Sequence, residues 1–435
     1  MIFFSGPEKS TIGAELEFFI LDNEGKISFN SDSLIKKSNP EIKIKKECAK
    51  NIIEINTEPK TNLSSFIEEL SKKLRLLLEI TEKEDNKIFY FGTYPGRFEP
   101  IMRNDRSYRV QEKIFGEKIW KIAGRCIGFH FHCNLPQKIF NKKQKFIKLH
   151  FDFKLNQNII DTHNLFIAVD PVLSTFMQSS PFYQGKKYGK DSRIMFYRGN
   201  KFFDVKGLYT NFQEFGALPL YKHIITDISY RSEDVFQNWA YTMKKLGMRL
   251  KALAFYGSIL ETNWSPLRVN PHGTFELRGM DMNSFYMMPS VAFVVNEMLK
   301  SIKIDNLTVL IDENAIEEPF KLEEERVYIP SFEHVNEVLQ KKSALIGIKD
   351  KEVRKYCKSF LKFIKSITDS NSKKFLKIFE NIVSKKETIS DKIILEAKKM
   401  GAKEKIDNEK AAELSLKFCE KIWRNIDRFE NFLNT

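Results

Sequence analysis

Three apolar runs of this 435-residue chain each carry two ionisable residues, two positions apart. They are Glu15 and Glu17 in TIGAELEFFIL, His130 and His132 in RCIGFHFHCNL, and Glu276 and Arg278 in TFELRGM. A fourth run, NIIEIN, sets Glu54 between isoleucines. Each run reads as a strand. Residues i and i+2 of a strand share a face, so each pair looks out on one side of a sheet. Charge at a half-buried position is costly unless it is paired or bound to a metal. The pattern therefore demands a sheet with one apolar face and one face built for chemistry.

Taken singly, each pair has a plainer explanation. E-x-E suits a solvated sheet edge, H-x-H a structural pair, and E-x-R a cross-strand ion pair. Their joint occurrence carries the argument. If the strands share one sheet, several carboxylates, two imidazoles and a guanidinium meet on one surface. Converging carboxylates repel, and a divalent cation is their natural counter-charge. Oxygen-rich ligation suits Mg²⁺ or Mn²⁺ better than Zn²⁺. Mg²⁺, carboxylates and an arginine are the equipment of phosphoryl transfer. The sequence holds neither G-x-x-x-x-G-K-[ST] nor G-x-G-x-x-G, which disfavours P-loop and Rossmann nucleotide sites.

The remaining chain reads as follows. Apolar spacing over 62–84 predicts a helix with Asn62 as its N-cap. Residues 87–93 read as a strand ending at Gly92. Residues 144–180 read as helical, with Asp170-Pro171 forcing a break or a new start. Residues 181–207 read as a long loop, 236–261 as helix-like, and 286–302 as a helix. Beyond about Glu317 the segments turn amphipathic, Lys-rich and strand-poor. A catalytic domain over 1–315 and a helical region over 316–435 packed upon it are expected.

The formal net charge is +14. Scattered lysines without an arginine-rich arm read as a solvated surface, so a nucleic-acid partner is not expected. Five cysteines at long spacings form no C-x-x-C pair and suit a reducing compartment. Cys133 reads as a buried structural thiol. The opening MIFFSGPEKS is too short and polar for a signal peptide, and no apolar run approaches the ~18 residues of a membrane span. A cytoplasmic protein is expected, with a homodimer as one possible assembly.

Six segments resemble, in order, the motifs of the glutamate–cysteine ligase type-2 family, also called carboxylate–amine ligases. They are TIGAELEFFILD, NIIEINTEP, FGTYPGRF, GFHFHCN, FMQSSPFYQGKKYGKDSR and GTFELRGMD, spanning residues 11 to about 283. The resemblance implies a glutamine synthetase-like α+β fold. In it a curved antiparallel sheet is lined by metal-binding acids, helices cover the outer face, and a helical C-terminal region is added. It implies Glu15, Glu17, Glu54, His130 and Glu276 as metal ligands. His132, Arg193 and Arg278 would contact nucleotide or substrate, with Glu276 and Arg278 catalytic. The implied activity is ATP- and Mg²⁺-dependent amide formation, with glutamate as the carboxylate and an amine such as cysteine. Departures touch the loops: Tyr94 replaces a histidine, Asn134 a glycine, residues 187–190 a different loop, and Pro266 alters the spacing around Trp264 and Arg268. They bear on the substrates more than on the reaction class.

Overall fold

The structure, a computed structural model, describes residues 10–199 and 203–433. The leader reading of the first residues falls on 1–9, and 200–202 belong to the expected loop; both stretches lie outside the described residues. The central sheet comprises β1 (Ile12–Leu21), β2 (Lys45–Lys46), β3 (Ile52–Asn56), β4 (Lys87–Phe89), β5 (Gly128–Asn134), β6 (Leu267–Asn270) and β7 (Thr274–Asp281). Their order is β6-β7-β5-β1-β3-β2, with β4 also paired to β1. Every pairing is antiparallel.

The period of two is visible along β1. Ile12, Ala14, Leu16 and Phe18 are buried, while Gly13, Glu15 and Glu17 alternate with them on the opposite face. Helices cover the apolar face. In Leu63–Lys83, Phe66, Ile67, Leu70, Leu74 and Leu77 are buried, and Phe66 meets Phe131 of β5 edge-on at 5.8 Å between ring centroids. Asn62 caps this helix, its Oδ1 accepting from the Ser65 amide at 2.9 Å. Fully burying one such side chain contributes about 1.5–3 kcal/mol. The apolar core is continuous from Ile12 to Ile426.

Several elements differ from their expected form. The 87–93 strand ends at Phe89, because the chain then turns through Gly92, where the Asp281 carboxyl leaves no room for a Cβ. The helix expected over 144–180 starts at Phe153, after a two-stranded hairpin (Phe140–Asn141 with Phe146–Ile147). It then runs unbroken through Pro171 to Met177. Almost every residue from Ile159 to Met177 is buried, so packing on all sides outweighs the bias before proline. Asp170 is no breaker. It forms a buried bidentate pair with Arg198 (2.7 and 2.9 Å) behind β7. The expected loop at 181–207 contains the hairpin Phe182–Tyr183/Lys186–Lys187 and a π-helical turn, Ile194–Arg198. The 236–261 reading falls on the second half of a helix, Thr226–Lys245, followed by 3₁₀ turns.

The stretch read as strand-poor holds Leu322–Glu323 and Arg326–Ile329, which with Thr308–Ile311 form a small mixed sheet. Four-residue runs are too short to display alternation. The rest of this region is helical, from Lys351–Ser366 to Ile422–Leu433. Among the described residues, no helix is long and apolar enough to cross a membrane. All five cysteines are free and buried, and burial pushes the Cys133 thiol up to about 12.

Candidate active site

The cross-strand register assembles the site. Glu17 of β1 lies opposite Glu54 of β3, and Glu15 lies opposite His130 of β5. His132 lies opposite both Gly13 and Glu276, and Glu276 opposite Arg268 of β6. A register shift between Leu277 and Met280 bulges β7 at Arg278 and Gly279. A bulge re-aims side chains, and here Arg278 Nη1 donates to Glu276 Oε1 at 2.6 Å. Gly279 leaves no space for a Cβ against the Asp170–Arg198 pair, and Arg198 Nη2 donates to its carbonyl at 2.8 Å. The buried ion pair thus braces the bulge that sets Arg278.

Two groups of potential ligands form side by side. Glu15, His132 and Glu276 compose one, and Glu17, Glu47 and Glu54 the other; within each, one ligand atom per residue lies within 4.8 Å of the others. His130 stands between them, with Nδ1 3.3 Å from Glu15 Oε2 and Nε2 3.8 Å from Glu17 Oε1. His132 Nδ1 lies 2.9 Å from Thr274 Oγ1, leaving Nε2 toward Glu15 Oε1 at 3.6 Å. The Nε2 atoms of both histidines are buried without a hydrogen-bond partner.

The electrostatics differ between the groups. Burial raises the Glu54 carboxyl well above its ordinary range, and Glu15, Glu47 and Glu17 raise it further. Glu47 and Glu17 are raised chiefly by burial as well. The nearest cation to this trio is Lys45, 3.7 Å from Glu54 Oε1. Buried Glu54 and half-buried Glu17 and Glu47, their carboxylates crowded beside an orphaned imidazole nitrogen, fit a hard divalent cation. Glu15 is different: burial opposes its charge, but hydrogen bonds from His130 and His132 hold it well below the usual range. Glu276 is fully buried. Burial opposes its charge too, yet Arg268 and Arg278 hold it low. Its Oε2 accepts from Arg268 Nε (2.8 Å) and Asn270 Nδ2 (2.6 Å). Its carboxylate therefore orients Arg278 as well as facing the histidines.

Every site residue named from the sequence falls on this face or against it. Arg193 comes from the loop after Pro181, its guanidinium donating to the Arg278 carbonyl at 3.1 and 3.2 Å and lying over Tyr197. It passes so close to Gly128 that any Cβ there would collide. A cavity of about 440 Å³ opens beside Glu15 and His132, lined also by Gly13, Lys43, Lys45 and Thr274. Sequence reading missed Glu47, Asn270 and Asp281. Glu47 stands between β2 and β3 with no motif around it. Asp281 closes the GTFELRGMD segment, and its Oδ2 accepts from the Ser179 amide and the Ser180 hydroxyl (2.9 and 2.6 Å). Its place in that motif was the available signal.

Comparison with solved structures supports this architecture. The chain is similar to the glutamate–cysteine ligase of Francisella tularensis, solved in complex with AMP, with a TM-score of 0.60 and 15% identity over 98% of this chain and 92% of that one. It is also similar to a bifunctional glutathione synthetase of Pasteurella multocida, with a TM-score of 0.58 and 14% identity over 95% of this chain and 53% of that one. The expected α+β, glutamine synthetase-like architecture is borne out.

In sequence, an uncharacterised protein of Archaeoglobus fulgidus is 25% identical over 206 residues, 44% of this chain and 50% of that protein. A Mycolicibacterium vanbaalenii protein named "Putative glutamate–cysteine ligase 2-1" is 22% identical over 282 residues, 64% of this chain and 62% of that protein. The chain thus spans 50% and 62% of the lengths of these relatives. The model of glutamate–cysteine ligase family 2 matches residues 11–341. The chain belongs to glutamate–cysteine ligase family 2.

Proposed function

We propose that this protein is an ATP-dependent ligase that joins a carboxylate to an amine, with glutamate as the carboxylate and cysteine as the amine. The observation that carries the reading is the pair of adjacent ligand groups, Glu15/His132/Glu276 and Glu17/Glu47/Glu54, with His130 between them and Arg278 at their edge. Family membership and the likeness to a ligase solved with AMP support it.

The carboxylate clusters would hold Mg²⁺ or Mn²⁺, which when bound offsets charge on the phosphate oxygens. The chain's own work is alignment. Glu276 fixes the Arg278 guanidinium toward the face where a phosphoryl group would move, and Asn270 and Arg268 fix Glu276. Arg193, held against Gly128 and the Arg278 carbonyl, would meet the substrate carboxylate. The cavity beside Glu15 would take the nucleotide, with Lys43 and Lys45 along its rim. The γ-phosphoryl group would pass from ATP to a carboxylate oxygen, releasing ADP. The amine nitrogen would then attack the carbonyl carbon, the C–O bond to phosphate would break, and the amine proton would leave to solvent. Charge neutralisation and orientation supply the acceleration.

The test is phosphate release from Mg-ATP with glutamate and a panel of amines, with products identified by mass spectrometry. Release that needs both glutamate and cysteine supports the full reading. Release with another amine keeps the ligase and changes its substrate. Absence of ATP-dependent phosphate release with every carboxylate and amine offered would refute it.

A further inference from the structure

The matched family segment ends at residue 341, and none of the six family motifs reaches the helices beyond it. The structure shows them gripping the loop that carries Arg193. The amides of Lys190 and Asp191 both donate to the Ala344 carbonyl, at 2.7 and 3.1 Å. Gly189 packs against that same carbonyl with no room for a Cβ. The Lys187 amide donates to the Glu404 carbonyl at 2.9 Å, and the Ile406 amide donates back to the Gly185 carbonyl at 2.9 Å. The Ser390 hydroxyl donates to the Lys190 carbonyl, and the Ser390 amide to the Gln178 carbonyl.

One charged contact lies at the centre of this grip. Lys190 Nζ lies 2.6 Å from Asp391 Oδ1, and both side chains are largely buried. Lys349 reaches the same oxygen at 2.7 Å. The other oxygen, Asp391 Oδ2, accepts from the Thr388 amide and hydroxyl and caps helix Ile389–Lys399. One carboxylate thus ties a C-terminal helix start to the loop three residues before Arg193. On the far side of the loop, Asp191 Oδ1 accepts from the Ile194 amide and the Ser192 amide donates to the Ser180 carbonyl, both at 2.8 Å. The loop has no slack between the Lys190–Asp391 pair and Arg193.

We propose that the C-terminal segment from Ala344 to Ile406 sets the position of Arg193 in the site, with Asp391 as the positioning residue that acts through Lys190. A buried ion pair that loses one partner leaves an uncompensated charge, so removing the Asp391 charge should release this loop before it disturbs the sheet. The functional consequence rests on the reading of Arg193 as a substrate contact; the structural consequence does not.

The test uses the full chain carrying Asp391→Asn, which keeps an oxygen for the helix cap and removes the charge. Hydrogen–deuterium exchange should show faster exchange in peptides covering 185–194, with β1, β5 and β7 unchanged. In phosphate release with Mg-ATP, glutamate and cysteine, kcat/KM should fall by on the order of tenfold. The same change in an Arg193→Ala background should add almost nothing, a non-additivity that general destabilisation would not produce. Should Asp391→Asn loosen the whole chain, Ser390→Ala removes only the hydroxyl contact to the Lys190 carbonyl and should give the local exchange change alone. Unchanged exchange over 185–194 in both variants would overturn the proposal, as would additive kinetics. If the wild-type chain releases no phosphate with glutamate, the functional reading falls, while the exchange data still decide the positioning.

Discussion

Glu17 and Glu54 face each other across the β1–β3 pairing, with Glu47 beside them and His130 Nε2 3.8 Å from Glu17. Burial raises the proton affinity of both carboxyls, and the neighbouring carboxylates raise it further, Glu47 at Glu17 and Glu15, Glu47 and Glu17 at Glu54. A cation must displace those protons, so Mn²⁺ affinity should rise with pH until the raised carboxyls have ionised. Titration calorimetry at several pH values checks this. Glu54→Gln should weaken Mn²⁺ binding at least tenfold while stabilising the metal-free protein by roughly 1 kcal/mol, because like charges are removed from a buried site. Equal Mn²⁺ affinity in variant and wild type would place the cation elsewhere.

Glu276→Gln and Arg278→Ala should each lower turnover by about a thousandfold or more. The glutamine variant also leaves Arg268 and Arg278 without their shared counter-charge, and should lose about 3 kcal/mol in denaturant unfolding. Either variant with near-wild-type turnover would show that these residues are not in the reacting site.

Gly128→Ala tests the geometry around Arg193 without touching a charge. A Cβ there meets the Arg193 guanidinium and comes within 3.0 Å of His130 Nε2. The expected outcome is a KM for glutamate raised about tenfold, with Mn²⁺ affinity changed far less. Arg193→Ala should give the same pattern, whereas an effect on kcat alone would contradict its role as a substrate contact.

His163 offers a pH test of the fold. It is buried on the helix behind β7, its ring 6.0 Å from that of Phe275, and burial lowers its pKa from 6.5 to about 4. The unfolded chain binds the proton more tightly, so stability contributed by the neutral ring is complete above about pH 6.5 and is lost as pH falls toward 4. The shift corresponds to roughly 3 kcal/mol as an upper bound. Denaturant unfolding of His163→Gln should show a flatter pH dependence than wild type across that window. Parallel curves would contradict it.

How far the site could be read from sequence depends on the geometry that carries each residue. Glu15, Glu17, His130, His132, Glu276 and Arg278 announce themselves because strand periodicity is local: two positions apart means one face. Glu54 shows as a lone acid among isoleucines. Glu47 does not show, because it joins the trio through the pairing of β3 with an edge strand of two residues. Asn270 and Arg268 reach Glu276 across the β6–β7 register. Arg268 was visible only as part of a family element, with no hint of its partner. The bulge that aims Arg278 depends on a buried ion pair between Asp170 and Arg198, 28 residues apart. That same Asp170, read with its proline as a helix break, is held inside the helix by packing that no local rule contains.

The most direct test of the account is phosphate release by the wild-type chain with Mg-ATP and glutamate, with and without cysteine, alongside Glu54→Gln. Release should require Mg²⁺, glutamate and cysteine together, should yield γ-glutamylcysteine, and should be lost in the variant. Release that persists in Glu54→Gln, or that proceeds without a divalent cation, would contradict it.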